Sequence, residues 1–155
     1  MANEWMLSAR NQRILKAIHV ICVACVLGGA VALLALMLLK GEGKVEDPFL
    51  IDWSVYMLFN TVVYYAFFGV LLTAFIYAMF TKWGFFKHHW ITVKWLGIFI
   101  IFALVWFWVG PAINGTASLS DGGFHLTNPE EYMKFSADSR FFLMLEGGIV
   151  LFLCL

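Results

Sequence analysis

The sequence predicts an all-α, polytopic membrane protein, an antiparallel bundle of four transmembrane helices. Three observations carry that prediction. Hydrophobic residues make up 63% of the 155 positions and charged residues only 13%, with a mean hydropathy of +0.86. A soluble domain holds about 45–50% apolar and about 25% charged residues. The apolar residues also fall into long runs, and about 20 in succession cross a hydrocarbon core of roughly 30 Å. Between the runs lie segments with Gly, Pro and charge, which read as turns. The length fits one domain, 1–155.

Met1 to Arg13 is a polar lead in which Trp5, Met6 and Leu7 suit a membrane interface. The first helix is expected at about 14–39, with Lys16 near its end able to extend toward water. This run is too long for a cleavable signal peptide and lacks a small-residue cleavage pattern. Residues 40–52 form a short acidic turn broken by Gly41, Gly43 and Pro48. The second helix is expected at 53–80 and the third at 91–113, stopped by Gly110-Pro111, since proline removes a helical hydrogen bond. Residues 114–138 read as a polar loop. The fourth helix is expected at 141–155; fifteen residues make about 22 Å, short of a crossing. The expectation is that this helix is truncated and that the natural chain continues past Leu155.

Lys and Arg distribution sets the orientation. With the N-terminus inside, the inner flanks hold Arg10, Arg13, Lys16, Lys82, Lys87 and Lys94, against Lys40, Lys44, Lys134 and Arg140 outside. The expected location is a membrane crossed several times, with a cytoplasmic N-terminus. A formal net charge of zero gives no case for nucleic acid as a partner. Cys22, Cys25 and Cys154 lie in apolar runs and read as small buried hydrophobes.

Ionisable or strongly polar residues within spans are costly and mark candidate sites. Asn60, Lys94 and Glu146 are of this kind, with Tyr56 one turn from Asn60. Lys94 lies near a helix end and is expected to reach the inner headgroups. Glu146, counted about five residues into the fourth helix from outside, can reach Arg140 or bond Asn60 or Tyr56 when protonated. His19 lies at the depth of Lys94. It can serve as an axial ligand of haem b, with His88 or His89 at the start of the third helix as its partner. The competing reading is a histidine hydrogen-bonded between helices. Cys22, Ala24, Cys25, Gly28 and Gly29 on the first helix, and Gly147-Gly148 on the fourth, suit close helix packing.

The turn Thr81-Lys82-Trp83-Gly84-Phe85-Phe86-Lys87, running on through Trp90 to Val93-Lys94-Trp95, is the most distinctive segment. With Arg13 to His19, Gly28-Gly29, Gly110-Pro111, Asn114, and Asp138 through Arg140 to Gly147-Gly148, it resembles an uncharacterised group of small bacterial four-helix inner-membrane proteins. The resemblance covers nearly the whole chain. It implies a four-helix bundle of the bacterial inner membrane and supplies no activity. Members of that group complete the fourth helix and end in a short basic tail.

No nucleophile–base pair, phosphate loop or acidic metal cluster is visible, so the expectation leans away from an enzyme. Three functions stay open: an accessory subunit or lipid- or small-ligand-binding bundle, a haem b electron-transfer protein, and an oligomeric transporter or proton conductor using Glu146. The first is favoured because each candidate residue has an adequate structural explanation. Its partners are the lipid bilayer and either further copies of the chain or a larger membrane complex.

Overall fold

The computed structural model describes residues 6–41, 48–81, 89–121 and 129–154. Within them the chain is helical and contains no strand. Four helices follow one another: α1 (Ala9–Gly41), α2 (48–80), α3 (89–120) and α4 (Pro129–Cys154). Three of them are long and apolar enough to cross a membrane: α1, α2 and α3. Each exposes large apolar side chains, among them Val31 at 68%, Leu72 at 61% and Phe107 at 66%. An apolar surface of that extent faces something other than water.

Local chemistry explains the helix ends. Ser8 caps α1, its Oγ accepting from the Asn11 N–H at 3.3 Å, and so satisfies a donor with no intrahelical partner. The Leu7 N–H donates to the Phe80 carbonyl at 3.0 Å, joining the start of α1 to the end of α2. α1 therefore begins five residues before the expected position. α4 starts with Pro129 in its first turn and Glu130 and Glu131 beside it. Proline there loses nothing, and the acidic groups suit the positive end of the helix. The fourth helix thus begins twelve residues earlier than 141 and runs for 26 residues, or about 39 Å.

α3 also differs from expectation, because it continues through Pro111 to Ser120. A π turn at Val105–Val109 precedes the proline, and the Gly110 N–H bonds the Val105 carbonyl. This wider winding lets a helix pass a residue that lacks an N–H. A matching π turn, Phe59–Val63, interrupts α2. Both helices bury every fourth residue: Ile51, Val55, Phe59, Val63 and Phe67 in α2, and Gly97, Ile101, Val105, Val109 and Ile113 in α3. An α-helix turns about 100° per residue, so such a row drifts about 40° with each step. One π turn in each helix offsets more than half of the drift and keeps the row on one face.

The helices pack antiparallel in chain order. Across α1 and α2, His19 meets Thr73 and Gly29 lies against Val63. Lys40 meets Tyr132 across α1 and α4, while Thr116 meets Ser139 and Trp108 meets Phe142 across α3 and α4. One end of the molecule, the near end, carries Ala9, Phe80 and His89; the far end carries Lys40, Asp52 and Pro129. Leu33, Met37, Val109 and Ile113 are no more than 1% exposed and form the core's far half, with Leu143 at 3%. There all four helices pack together. In the near half, Tyr64–Phe80 of α2 packs on α1, and His89–Leu104 of α3 packs on α4, with little contact between the two segments. They part just beyond the stacked rings of Phe67 and Phe102, whose centroids lie 6.4 Å apart.

The landmark turn at 82–88, including His88, lies outside the described residues, as does 122–128.

Candidate functional site

The far end is closed by a buried ionic cluster. Lys40 Nζ lies 2.6 Å from Asp52 Oδ1, and the Tyr132 hydroxyl donates to Oδ2 at 2.7 Å. The ammonium also sits 4.5 Å from the centre of the Tyr132 ring. Asp52 and Tyr132 are buried, at 1% and 8% exposure. Both carboxylate oxygens are satisfied by charge-assisted bonds, so α1, α2 and α4 are tied at one point.

From that cluster a row of buried side chains runs down one face of α4: Tyr132, Ser136, Ser139, Leu143, Glu146 and Val150. The spacing alternates four and three residues, which places them on a single stripe. The upper hydroxyls are internally committed. Ser139 Oγ donates to the Phe135 carbonyl, Thr116 Oγ1 to the Ala112 carbonyl at 2.7 Å, and Ser120 Oγ to the Ala117 carbonyl at 3.0 Å.

Glu146 is different. It is 3% exposed, and its Oε2 is buried with no hydrogen-bond partner among the described residues. A buried polar atom without a partner is uncommon and asks for an explanation. Its level follows from helix register. Glu146 lies fourteen residues past Tyr132 on α4, and fourteen residues back from Lys40 on α1 is Val26, also in the core. Val26 in turn lies level with Tyr65 and Ala66 of α2, given the pairs Gly29–Val63 and Cys22–Gly69. The carboxyl therefore sits at mid-height of the packed helices, seventeen residues into α4, deeper than the five residues expected. An α4 that starts at Pro129 is the reason. The bonds considered for it are not made by Oε2. Asn60 Nδ2 donates to the Tyr56 carbonyl of its own helix at 2.9 Å, and it stands about six residues farther toward the far end. Arg140 Nε donates to the Ser136 carbonyl at 3.4 Å.

His19 bridges α1 and α2 through Nδ1, 2.8 Å from Thr73 Oγ1. The threonine hydroxyl has a single proton and is directed at the Gly69 carbonyl, at 2.6 Å. It therefore accepts from the histidine Nδ1–H, leaving the ring's lone pair on Nε2. Lys94, the residue the depth count put beside His19, is close enough for its charge to act on the ring. Its Nζ also lies 5.6 Å from the Trp90 ring centre, one turn toward the near end. His89 is exposed at the start of α3. No group of three or more His, Cys, Asp or Glu able to hold a metal occurs among the described residues.

Asp52, Tyr132 and the hydroxyl row on α4 are the polar groups that reading the sequence did not single out, whereas Ala66, Gly69 and Thr73 read as small packing residues of the second helix, and Gly69 and Thr73 lie against α1. The repeat Tyr132, Ser136, Ser139 carried the signal for the row. Asp52 and Lys40 read as ends of a loop, and nothing in the sequence shows that the chain folds one onto the other.

Fold and polar groups together define an all-helical chain with three candidate membrane spans, a buried ionic cluster at the far end, and at mid-height a buried carboxyl whose Oε2 has no hydrogen-bond partner among the described residues. Comparison with family models, with curated proteins and with solved structures finds no match.

Proposed function

We propose that the chain is a four-helix bundle of the bacterial inner membrane, near end toward the cytoplasm, that acts without catalysis by binding an anionic, lipid-like amphiphile. The observation that carries this reading is the parting of α2 and α3. Their far halves pack together, whereas their near halves lean on α1 and α4 respectively, and we read the space between them beneath Phe67 and Phe102 as a cleft. A slot between helices suits an acyl or isoprenoid chain, since both are apolar. Lys94, at the level of the inner headgroups and beside His19, supplies donors and positive charge for an anionic head. The resemblance carried by the 81–90 segment agrees with a four-helix inner-membrane protein, and an accessory subunit of a larger complex would use the same cleft.

Native mass spectrometry of the protein purified in mild detergent tests the reading. Anionic lipid adducts should be retained, and should fall in the His19→Gln/Lys94→Gln double variant. Equal retention of zwitterionic and anionic lipids, unchanged in that variant, would remove the basis for it.

One observation favours a second reading, haem b on His19. A histidine that donates one ring N–H and keeps the other nitrogen's lone pair is the form that binds iron, and Thr73 supplies that arrangement. The absorbance spectrum decides: a Soret band lost in His19→Ala supports haem, and its absence after haem supplementation excludes it.

A further inference from the structure

We propose that Glu146 is a proton-binding site in the middle of the bundle, in exchange with the near-end side only. The site itself stands on its own geometry: the side chain is 97% removed from solvent, given its 3% exposure, and Oε2 has no partner among the described residues. An ionised carboxylate there would sit in apolar surroundings without a counter-charge, which is costly. A proton on the carboxylate removes that charge and leaves an acid that can donate. The step balances simply, with hydronium giving one proton to a carboxylate oxygen and water leaving.

The groups around it supply no competing charge. At its level α1 offers only the thiols Cys22 and Cys25, and α2 only the phenols Tyr64 and Tyr65. α3 holds no titratable residue between Lys94 and Asp121, and on α4 itself Arg140 stands six residues toward the far end.

The direction of exchange follows from what lies on either side. Toward the far end, Leu143, Val109, Ile113 and Leu33 are 0–3% exposed, and they separate Glu146 from Ser139 by seven residues, about 10 Å. Beyond them the hydroxyls are committed to carbonyls and the Lys40–Asp52–Tyr132 cluster closes the end. Toward the near end, Tyr64–Phe80 and His89–Leu104 share little contact beyond the Phe67–Phe102 stack, which lies one to two residues below the level of Glu146. The route rests on the cleft reading above; the site does not.

The test uses the full chain in sealed, oriented vesicles and a membrane-permeant carbodiimide, which forms a stable adduct with a protonated carboxyl in an apolar site. Mass spectrometry should find the adduct on Glu146, with a rate that falls when pH is raised on the near-end side and is unchanged when it is raised on the other. Glu146→Gln should lose the adduct and Asp138→Asn should keep it. Absence of an adduct on Glu146 at any pH would overturn the site, and dependence on far-side pH would overturn the route. If Glu146 reacts as expected while no lipid is retained, the amphiphile reading alone fails.

Discussion

Replacing Asp52 with alanine should destabilise this protein more than any other single change at its far end. The carboxylate is held by Lys40 at 2.6 Å and Tyr132 at 2.7 Å, with the Asp52 side chain 0% and the Lys40 side chain 10% exposed. Removing one member of a buried ion pair costs about 3–5 kcal/mol, chiefly because the other charge is left without a partner. Lys40 is in the last turn of α1 and can swing toward water, so the lower figure, about 3 kcal/mol, applies here. For a chain of this length that corresponds to a fall of about 6–12 °C in the melting midpoint. Asp52→Asn should cost less, because its amide oxygen still accepts from Tyr132. Tyr132→Phe should cost about 1.5–3 kcal/mol, the value of a bond to a charged group. The two losses should not add, since both remove the same bond. Replacing Lys40 and Asp52 together by Met and Leu should bring the midpoint most of the way back. Tryptophan fluorescence melts in detergent measure all of these. A shift below about 2 °C for Asp52→Ala, less than 1 kcal/mol on the same scale, would refute the reasoning, as would full additivity with Tyr132→Phe.

Adjacent glycines on α1 should behave oppositely. A Cβ on Gly29 would lie 2.5 Å from Val63 Cγ2, whereas one on Gly28 meets nothing within 4 Å. Gly29→Ala should cost about 1–3 kcal/mol by overpacking, and Gly28→Ala should be neutral or slightly stabilising; a melt of each variant decides. Gly69→Ala should resemble Gly29→Ala, with Cys22 Sγ 2.7 Å from the new atom, and Cys22→Ala in the same chain should relieve it. Thr73→Val should remove the His19–Thr73 bond and cost about 1 kcal/mol, with a shift in the ring nitrogens visible by nitrogen NMR of labelled histidine.

Much of the helical layout was legible because apolar runs of spanning length announce themselves. The end of α2 at Phe80 and the start of α3 near His89 match the polar break around 82–88 closely. The fourth helix was harder to see. Glu130, Glu131, Lys134, Asp138 and Arg140 depress hydropathy across its first half, although Pro129 and the two glutamates mark its start by a different criterion. Pro111 misled for a physical reason: a proline stops an α-helix unless the preceding turn is rewound, and the π turn at Val105–Val109 has no obvious spelling in the residues themselves. Site residues divide in the same way. Polarity within apolar runs identified His19, Asn60, Lys94 and Glu146, but partners depend on register between helices. That register decides that His19 meets Thr73, that Asn60 bonds within its own helix, and that Glu146 lies at mid-height.

The paired π turns carry a mechanical consequence. Phe59, at the start of one, reaches to 4.0 Å from where a side chain on Gly110, at the end of the other, would begin. Two interruptions of the hydrogen-bond ladder thus lie side by side, just above the place where α2 and α3 diverge. Below them, α2 packs chiefly on α1 and α3 chiefly on α4; above them, α2 and α3 pack directly on each other. A pair of rods fastened at one end and notched at the same height bends at the notches, as tongs do. Spin labels at Phe75 and Phe99 should therefore report a broader spread of distances than labels at Met57 and Asn114, and equal widths would show that the notches do not flex.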